Sequence, residues 1–135
     1  MNALAKVWTD YASEDRRMAE LALQEGIWNQ VCFHAQQCVE KLLKATLAEQ
    51  GTTIPQVHRL VDLLGRVNPT TATALTPHAS DIRSLDRFYI PTRYPDALPG
   101  ALPTGLPGEQ DATMALATAT TIVAIIDQIL NPPAP

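Results

Sequence analysis

The sequence predicts an all-α fold: an antiparallel up-and-down bundle of four to five helices, with a long proline-rich loop before the last one. Apolar residues recur at helical spacing along several long segments of the 135-residue chain. There is no alternating strand pattern, and the early connections are short, as in helical bundles. We expect a single domain over residues 1–135, large enough to bury a core without a disulfide or metal.

The longest helix is predicted around residues 31–45, which contain no glycine or proline. At about 100° per residue, its apolar side chains fall on one broad arc and its polar ones on the other. The polar arc holds His34, Gln37, Glu40, Lys41 and Lys44. We therefore expect this helix to bury one side and to present a partly basic stripe to solvent, with Glu40 and Lys44 paired at i,i+4.

A first helix is predicted over about residues 4–24, and Gly26 ends it. Only a short connection separates it from the long helix. Its apolar positions at helical spacing are Leu4, Trp8, Tyr11, Ala12, Met18, Ala19, Ala22 and Leu23. Asp15 falls within this apolar stripe, where an unpaired charge would cost several kcal/mol. Asp15 is therefore expected to bind a base or a hydrogen-bond donor from another segment, either as a structural anchor or as part of a site.

Three further helices are expected. A short one covers about residues 56–67 and stops at Asn68-Pro69, a fourth carries apolar residues from Leu75 to Tyr89, and the last covers about 109–130. Arg83 and Arg87 share the outer side of the fourth helix. Between the fourth helix and the last helix, proline recurs at every fourth residue from 91 to 107. This spacing excludes a helix and a central strand and predicts a long surface loop.

Composition narrows the classes of function. The net charge of −4 argues against a general nucleic-acid coat, yet residues 41–93 hold seven bases and four acids, whereas the two ends hold three bases and ten acids. Cys32 and Cys38 are expected to be reduced packing residues, with no metal site and no cofactor. No signal peptide or membrane span is evident, so we expect a cytoplasmic protein without a membrane partner.

The stretch most typical of a binding site covers residues 87–96, RFYIPTRYPD. Arg87 and Arg93 are suited to a phosphate or carboxylate, and the interleaved aromatic residues, Tyr94 among them, could stack on a base. The structural alternative is that Arg93 and Asp96 fasten the loop to the bundle, with Arg93 meeting Asp15. Phosphate-binding glycine loops and the common hydrolase motifs are absent from the sequence.

Several of these residues, in this order, resemble the HEPN domain family. They are Trp8, Ala12 and Asp15; the segments HAQQ at 34–37 and EKLLKA at 40–45; Pro55 and HRL at 58–60; and RYPD at 93–96. The resemblance implies a four-to-five-helix bundle, usually a homodimer. It further implies an association with RNA cleavage or nucleotide binding, and a gene pair with a minimal nucleotidyltransferase as toxin and antitoxin. HEPN ribonucleases carry an arginine followed four to six residues later by histidine, and this sequence has no such pair.

The leading hypothesis is therefore a HEPN-like component that binds a nucleotide or RNA and acts with a nucleotidyltransferase. The expected ligand-binding residues are Lys41, Lys44, Arg83, Arg87, Arg93, Tyr94 and Asp96, with Asp15, His34 and Gln37 as structural or anchoring residues. One alternative is a metal-independent endoribonuclease whose acid–base group is His34 or His58. Another is a module that serves only dimerisation or interaction.

Overall fold

The computed structural model describes residues 1–89 and 106–134. Six α-helices lie in these ranges: α1 (Ala3–Gln24), α2 (Trp28–Glu49), α3 (Leu60–Leu64), α4 (Pro69–Leu75), α5 (Ala79–Leu85) and α6 (Glu109–Leu130). Short 3₁₀ turns at Thr76–His78 and Asp86–Phe88 follow α4 and α5. No strand occurs in the described ranges, so the predicted all-α bundle is confirmed.

The first two helices form an antiparallel hairpin, and a glycine ends each of them. Gly26 has φ +70°, and the amides of Gly26 and Ile27 donate back to the carbonyls of Leu23 and Ala22. Gly51, at φ +75°, ends α2 with the same pair of bonds. Both ends are Schellman motifs, in which a left-handed residue allows the last carbonyls to be satisfied.

Helix α2 lies at the centre of the bundle and is buried on nearly every side. Its apolar arc is buried, as predicted, and packs against α1 and α6. The expectation of a solvent-facing polar stripe is wrong for two residues, since Glu40 and Lys44 are 3% and 4% exposed. Glu40 pairs with Lys44 and lies near His58 of the chain after α2. Trp8 of α1 lies against the Lys44 ammonium.

Helix α1 also departs from its prediction. Ala12, Ala19 and Ala22 are buried as expected, but Leu4, Tyr11 and Met18 are about half exposed. Helix α1 packs against α2 through its small residues. The larger apolar residues at neighbouring positions therefore lie on the outer surface of α1.

The segment between α2 and α6 is more broken than predicted. The expected helix over 56–67 begins only at Leu60, and the expected fourth helix is divided into α4, a 3₁₀ turn and α5. Asp86 explains the start of α3: its carboxylate accepts hydrogen bonds from the amides of Leu60 (2.7 Å) and Val61 (3.1 Å). This distant side chain takes the role of an N-cap, because Arg59 provides no side-chain cap of its own.

Helix α6 matches its predicted bounds and starts with a capping interaction in which the Gly108 amide donates to Asp111. By length and composition alone it could cross a membrane, and within the described residues it is the one helix of that kind. The sequence pattern had indicated no such segment. In the bundle, α6 packs along α2 through its buried residues Ala115, Ala119, Ile122 and Ile126.

Candidate functional site: two polar clusters and an arginine pair

The first cluster joins α1 to α2 and consists of Asp15, His34 and Lys41, here called the Asp15 cluster. Asp15 is 7% exposed, and both of its oxygens are used. Oδ1 lies 2.8 Å from Nδ1 of His34, and Oδ2 accepts from the Lys41 ammonium. Both partners, His34 and Lys41, lie on α2. The prediction that buried Asp15 pairs with a base from another helix is therefore confirmed.

This geometry fixes the orientation of His34. A carboxylate can only accept hydrogen bonds, so the Nδ1 atom that faces Asp15 carries a proton. The second ring nitrogen, Nε2, is then free to accept or to donate according to the charge of the ring. With side chains 19% and 24% exposed, respectively, His34 and Lys41 both reach the surface from an otherwise buried anchor.

The second cluster consists of the buried residues Glu40 and Lys44 and the half-exposed His58, and is here called the Glu40 cluster. Oε2 of Glu40 accepts from the Lys44 ammonium at 3.0 Å and lies 3.4 Å from Nδ1 of His58. The same ammonium lies 5.5 Å from the ring centre of Trp8. Lys44 therefore stabilises the interior of the bundle and does not present its charge to solvent.

Two glutamines extend this network. Nε2 of Gln37 donates to Oε1 of Gln36 at 2.8 Å and lies 3.4 Å from Oε1 of Glu40. Gln36, fully buried, donates in turn to the His58 carbonyl at 3.0 Å. The His58 ring stacks on Tyr89 with ring centres 5.5 Å apart. His58 thus fastens the chain before α3 to α2.

The predicted arginine pair lies elsewhere, on α5 and the turn after it. Arg83 and Arg87 are both exposed. The Arg87 guanidinium is 3.8 Å from Asp111 at the start of α6, and its Nε donates to the Ser84 carbonyl at 3.0 Å. It also lies over the Phe88 ring, 4.9 Å from the ring centre.

The predicted cationic residues therefore divide into separate groups. Lys41 and Lys44 are paired with acids at the α1–α2 side, while Arg87 pairs with Asp111 beside α6. Arg93, Tyr94 and Asp96 lie outside the described residues, as does the proposed contact of Arg93 with Asp15. Sequence reasoning missed Asp86 as the residue that joins α3 to α5, because nothing local to Asp86 indicates a partner 25 residues away.

The two cysteines are buried and free, as predicted. Burial raises the pKa of the Cys32 thiol to about 12, and it raises the pKa of the Cys38 thiol to about 12 as well. Both are therefore packing residues. No group of three or more metal-ligating side chains occurs within residues 1–89 and 106–134.

Comparison with known proteins agrees with the resemblance. The curated protein named "Putative toxin MJ1304", from Methanocaldococcus jannaschii, is 28% identical over 134 residues, covering 94% of this chain and 88% of that protein. The crystal structure of TT1696 from Thermus thermophilus superposes with a TM-score of 0.72 at 29% identity, covering 92% of this chain and 96% of that one.

A second solved structure, ST0689, is described as an archaeal HEPN homologue. It has a TM-score of 0.68 at 28% identity and covers 94% of this chain and 98% of its own. The family model for the HEPN domain matches residues 5–129, nearly the whole sequence. The chain therefore belongs to the HEPN domain family.

Proposed function

We propose that this chain is the toxin-type component of a two-gene toxin–antitoxin system, that it acts as a homodimer with a minimal nucleotidyltransferase, and that it binds a nucleotide or an RNA segment. The family membership and the similarity to a protein named as a toxin support the first part. The exposed pair Arg83 and Arg87 carries the ligand proposal.

Arg87 is held in a position suited to an anion. Its contact to Asp111 is at the outer limit of an ion pair, and both side chains are more than one-third exposed, so the pair contributes little and a phosphate can replace the carboxylate. A guanidinium binds phosphate through two parallel hydrogen bonds. Arg83 lies one turn earlier on α5, so the two guanidiniums are suited to successive phosphate oxygens.

A groove between α5 and α6 lies beside Arg87. Phe88, Met114 and Thr118 are among its lining residues. The groove has a volume of about 70 Å³ and is also lined by Asp81 and Asp111. Its apolar part next to the guanidinium would therefore contact only the edge of a base or ribose whose phosphate is bound by the arginine. Lys44 has no place in this proposal because it is buried on Glu40.

Equilibrium titration with ATP and with a short single-stranded RNA tests the ligand proposal. Charged hydrogen bonds contribute about 1.5–3 kcal/mol each, so Arg83→Ala/Arg87→Ala should weaken binding at least about tenfold. Arg59→Ala/Arg66→Ala is the matched control, because it removes two exposed arginines from the α3 region. If the two double variants bind ATP and RNA with equal affinity, Arg83 and Arg87 are not part of the binding site.

Expression in bacterial cells tests the toxin role separately. Induction of the chain alone should arrest growth, and co-expression of a nucleotidyltransferase encoded next to it should relieve the arrest. Normal growth on induction, with the folded protein detected, would contradict the toxin proposal.

The Asp15 cluster favours a second candidate, a metal-independent endoribonuclease. Asp15 orients His34 so that Nε2 could take the proton of an RNA 2′-hydroxyl, as a general base does. Lys41 lies beside it and would offset the negative charge of the phosphate. RNA incubated with the protein and a chelator should then give fragments with 2′,3′-cyclic phosphate ends.

The variant His34→Ala should abolish this cleavage, whereas His78→Ala is a control at the 3₁₀ turn after α4. Undiminished cleavage by His34→Ala/His58→Ala would exclude both histidines predicted as acid–base groups.

A further inference from the structure

The outer face of α1 is apolar at a spacing of three and four residues. Leu4, Val7, Tyr11, Met18 and Leu21 are 39–53% exposed, and with Glu14 they occupy alternating positions three and four residues apart. This is the a/d pattern of a coiled coil, sustained over about two and a half heptads and about 26 Å of helix. Soluble proteins rarely leave such a continuous stripe uncovered.

The stripe is complementary to itself when the helix is reversed. In an antiparallel pair, Leu4 faces Leu21 of a second copy. Val7 likewise faces Met18, and Tyr11 faces Glu14. Each contact occurs twice about a two-fold axis, which is the arrangement that an isologous dimer requires.

The charges beside the stripe agree with the reversed direction. Asp10 and Arg17 are exposed and lie at equivalent heptad positions next to the apolar residues. Antiparallel pairing places Asp10 of one copy near Arg17 of the other, twice per dimer. A parallel pair would instead set Glu14 against Glu14, whereas the antiparallel one lets the Tyr11 hydroxyl donate to that carboxylate.

We propose that α1 forms the homodimer interface by packing antiparallel on α1 of a second copy, in the register that pairs Val7 with Met18. The inference rests on the homodimer of the proposed function and specifies its geometry. Ile27, 47% exposed, borders the same apolar surface beside Met18 and Leu21.

Cross-linking of single-cysteine variants tests the register. An equimolar mixture of Val7→Cys and Met18→Cys should be joined by a short bismaleimide, while either variant alone should not be. The native Cys32 and Cys38 are buried, so unmodified protein serves as the blank. Cross-linking of each variant with itself, and not in the mixture, would overturn the antiparallel arrangement.

Charge reversal tests the interface without removing apolar surface. Asp10→Arg and Arg17→Asp should each shift the chain from dimer to monomer in light scattering, and Asp10→Arg/Arg17→Asp should restore the dimer. All these positions are exposed, so an unchanged helical circular-dichroism spectrum of the monomeric forms would show that the fold is intact.

The outcomes separate the two proposals. A dimer indifferent to both charge changes would overturn the α1 interface and leave the homodimer standing. A monomeric unmodified chain, or α1 covered by a nucleotidyltransferase with no dimer present, would overturn both. Nucleotide or RNA binding through Arg83 and Arg87 is measured separately, by the titration with ATP and RNA, so its outcome does not depend on the dimer.

Discussion

Substitution of Asp15 by asparagine should destabilise the bundle by about 2 kcal/mol. The amide would keep the shape of the side chain but lose the charge that binds His34 and Lys41. Exposed ion pairs contribute less than about 1 kcal/mol, whereas breaking a buried one costs about 3–5 kcal/mol. The Asp15 side chain is 9% exposed and Lys41 is 24% exposed, which places this pair between the two limits.

Helix α1 offers a matched control. Asp10 binds Lys6 at 2.6 Å, but both side chains are about 60% exposed. Asp10→Asn makes the same chemical change in the same helix and, at protein concentrations at which the chain is monomeric, should cost well under about 1 kcal/mol. Urea unfolding followed by circular dichroism measures the loss of unfolding free energy in both variants. The slope of this free energy against urea concentration should stay constant.

A double-mutant cycle identifies the origin of the effect. Asp15→Asn and Lys41→Met should cost less together than the sum of the single changes, because either one removes the same interaction. The reasoning is refuted if Asp15→Asn destabilises the protein no more than Asp10→Asn does, or if the cycle is additive.

Four further outcomes are expected. Asp86→Ala should lower the unfolding free energy by about 1–2 kcal/mol in thermal melts, because the first two amides of α3 lose their acceptor; an unchanged melting temperature would contradict this. Cys32 and Cys38 should resist a thiol reagent at pH 8 until the protein unfolds. Their raised pKa values also mean that the unfolded thiols lose protons first, so the unfolding free energy should fall as pH rises from 9 to 12, and less so in the double alanine variant. Gly51→Ala should cost about 1 kcal/mol through its positive φ alone, since no atom lies near the added methyl group, whereas Gly65→Ala should be close to neutral in the same assay.

Helical periodicity and glycine stops predicted the long helices well. The bounds of α1, α2 and α6 depend on local signals, namely Gly26, Gly51 and the acidic first turn of α6. Burial of the α1 carboxylate could also be predicted, because an aspartate within an apolar stripe implies a partner. These inferences need only neighbours along the chain.

The features that could not be predicted depend on contacts between segments that are far apart in the sequence. The burial of Glu40 and Lys44 depends on His58 in the chain after α2 and on Trp8 of α1, which lie against them, whereas helical periodicity alone classes both as exposed. The start of α3 depends on Asp86, which no local rule connects to Leu60. The predicted convergence of cations failed for Lys44 for the same reason, while Arg93 and Tyr94 lie outside the described residues.

The burial of α2 on nearly all sides has a consequence for hydrogen exchange. Amide protons in the middle of a helix enclosed by its neighbours exchange only when the whole domain opens, whereas short peripheral helices open locally. Deuterium uptake should therefore be slowest between Val31 and Ala48, and faster in α4, whose residues are mostly exposed or half-buried. The most protected part of the molecule would then be the element that carries its interior charges.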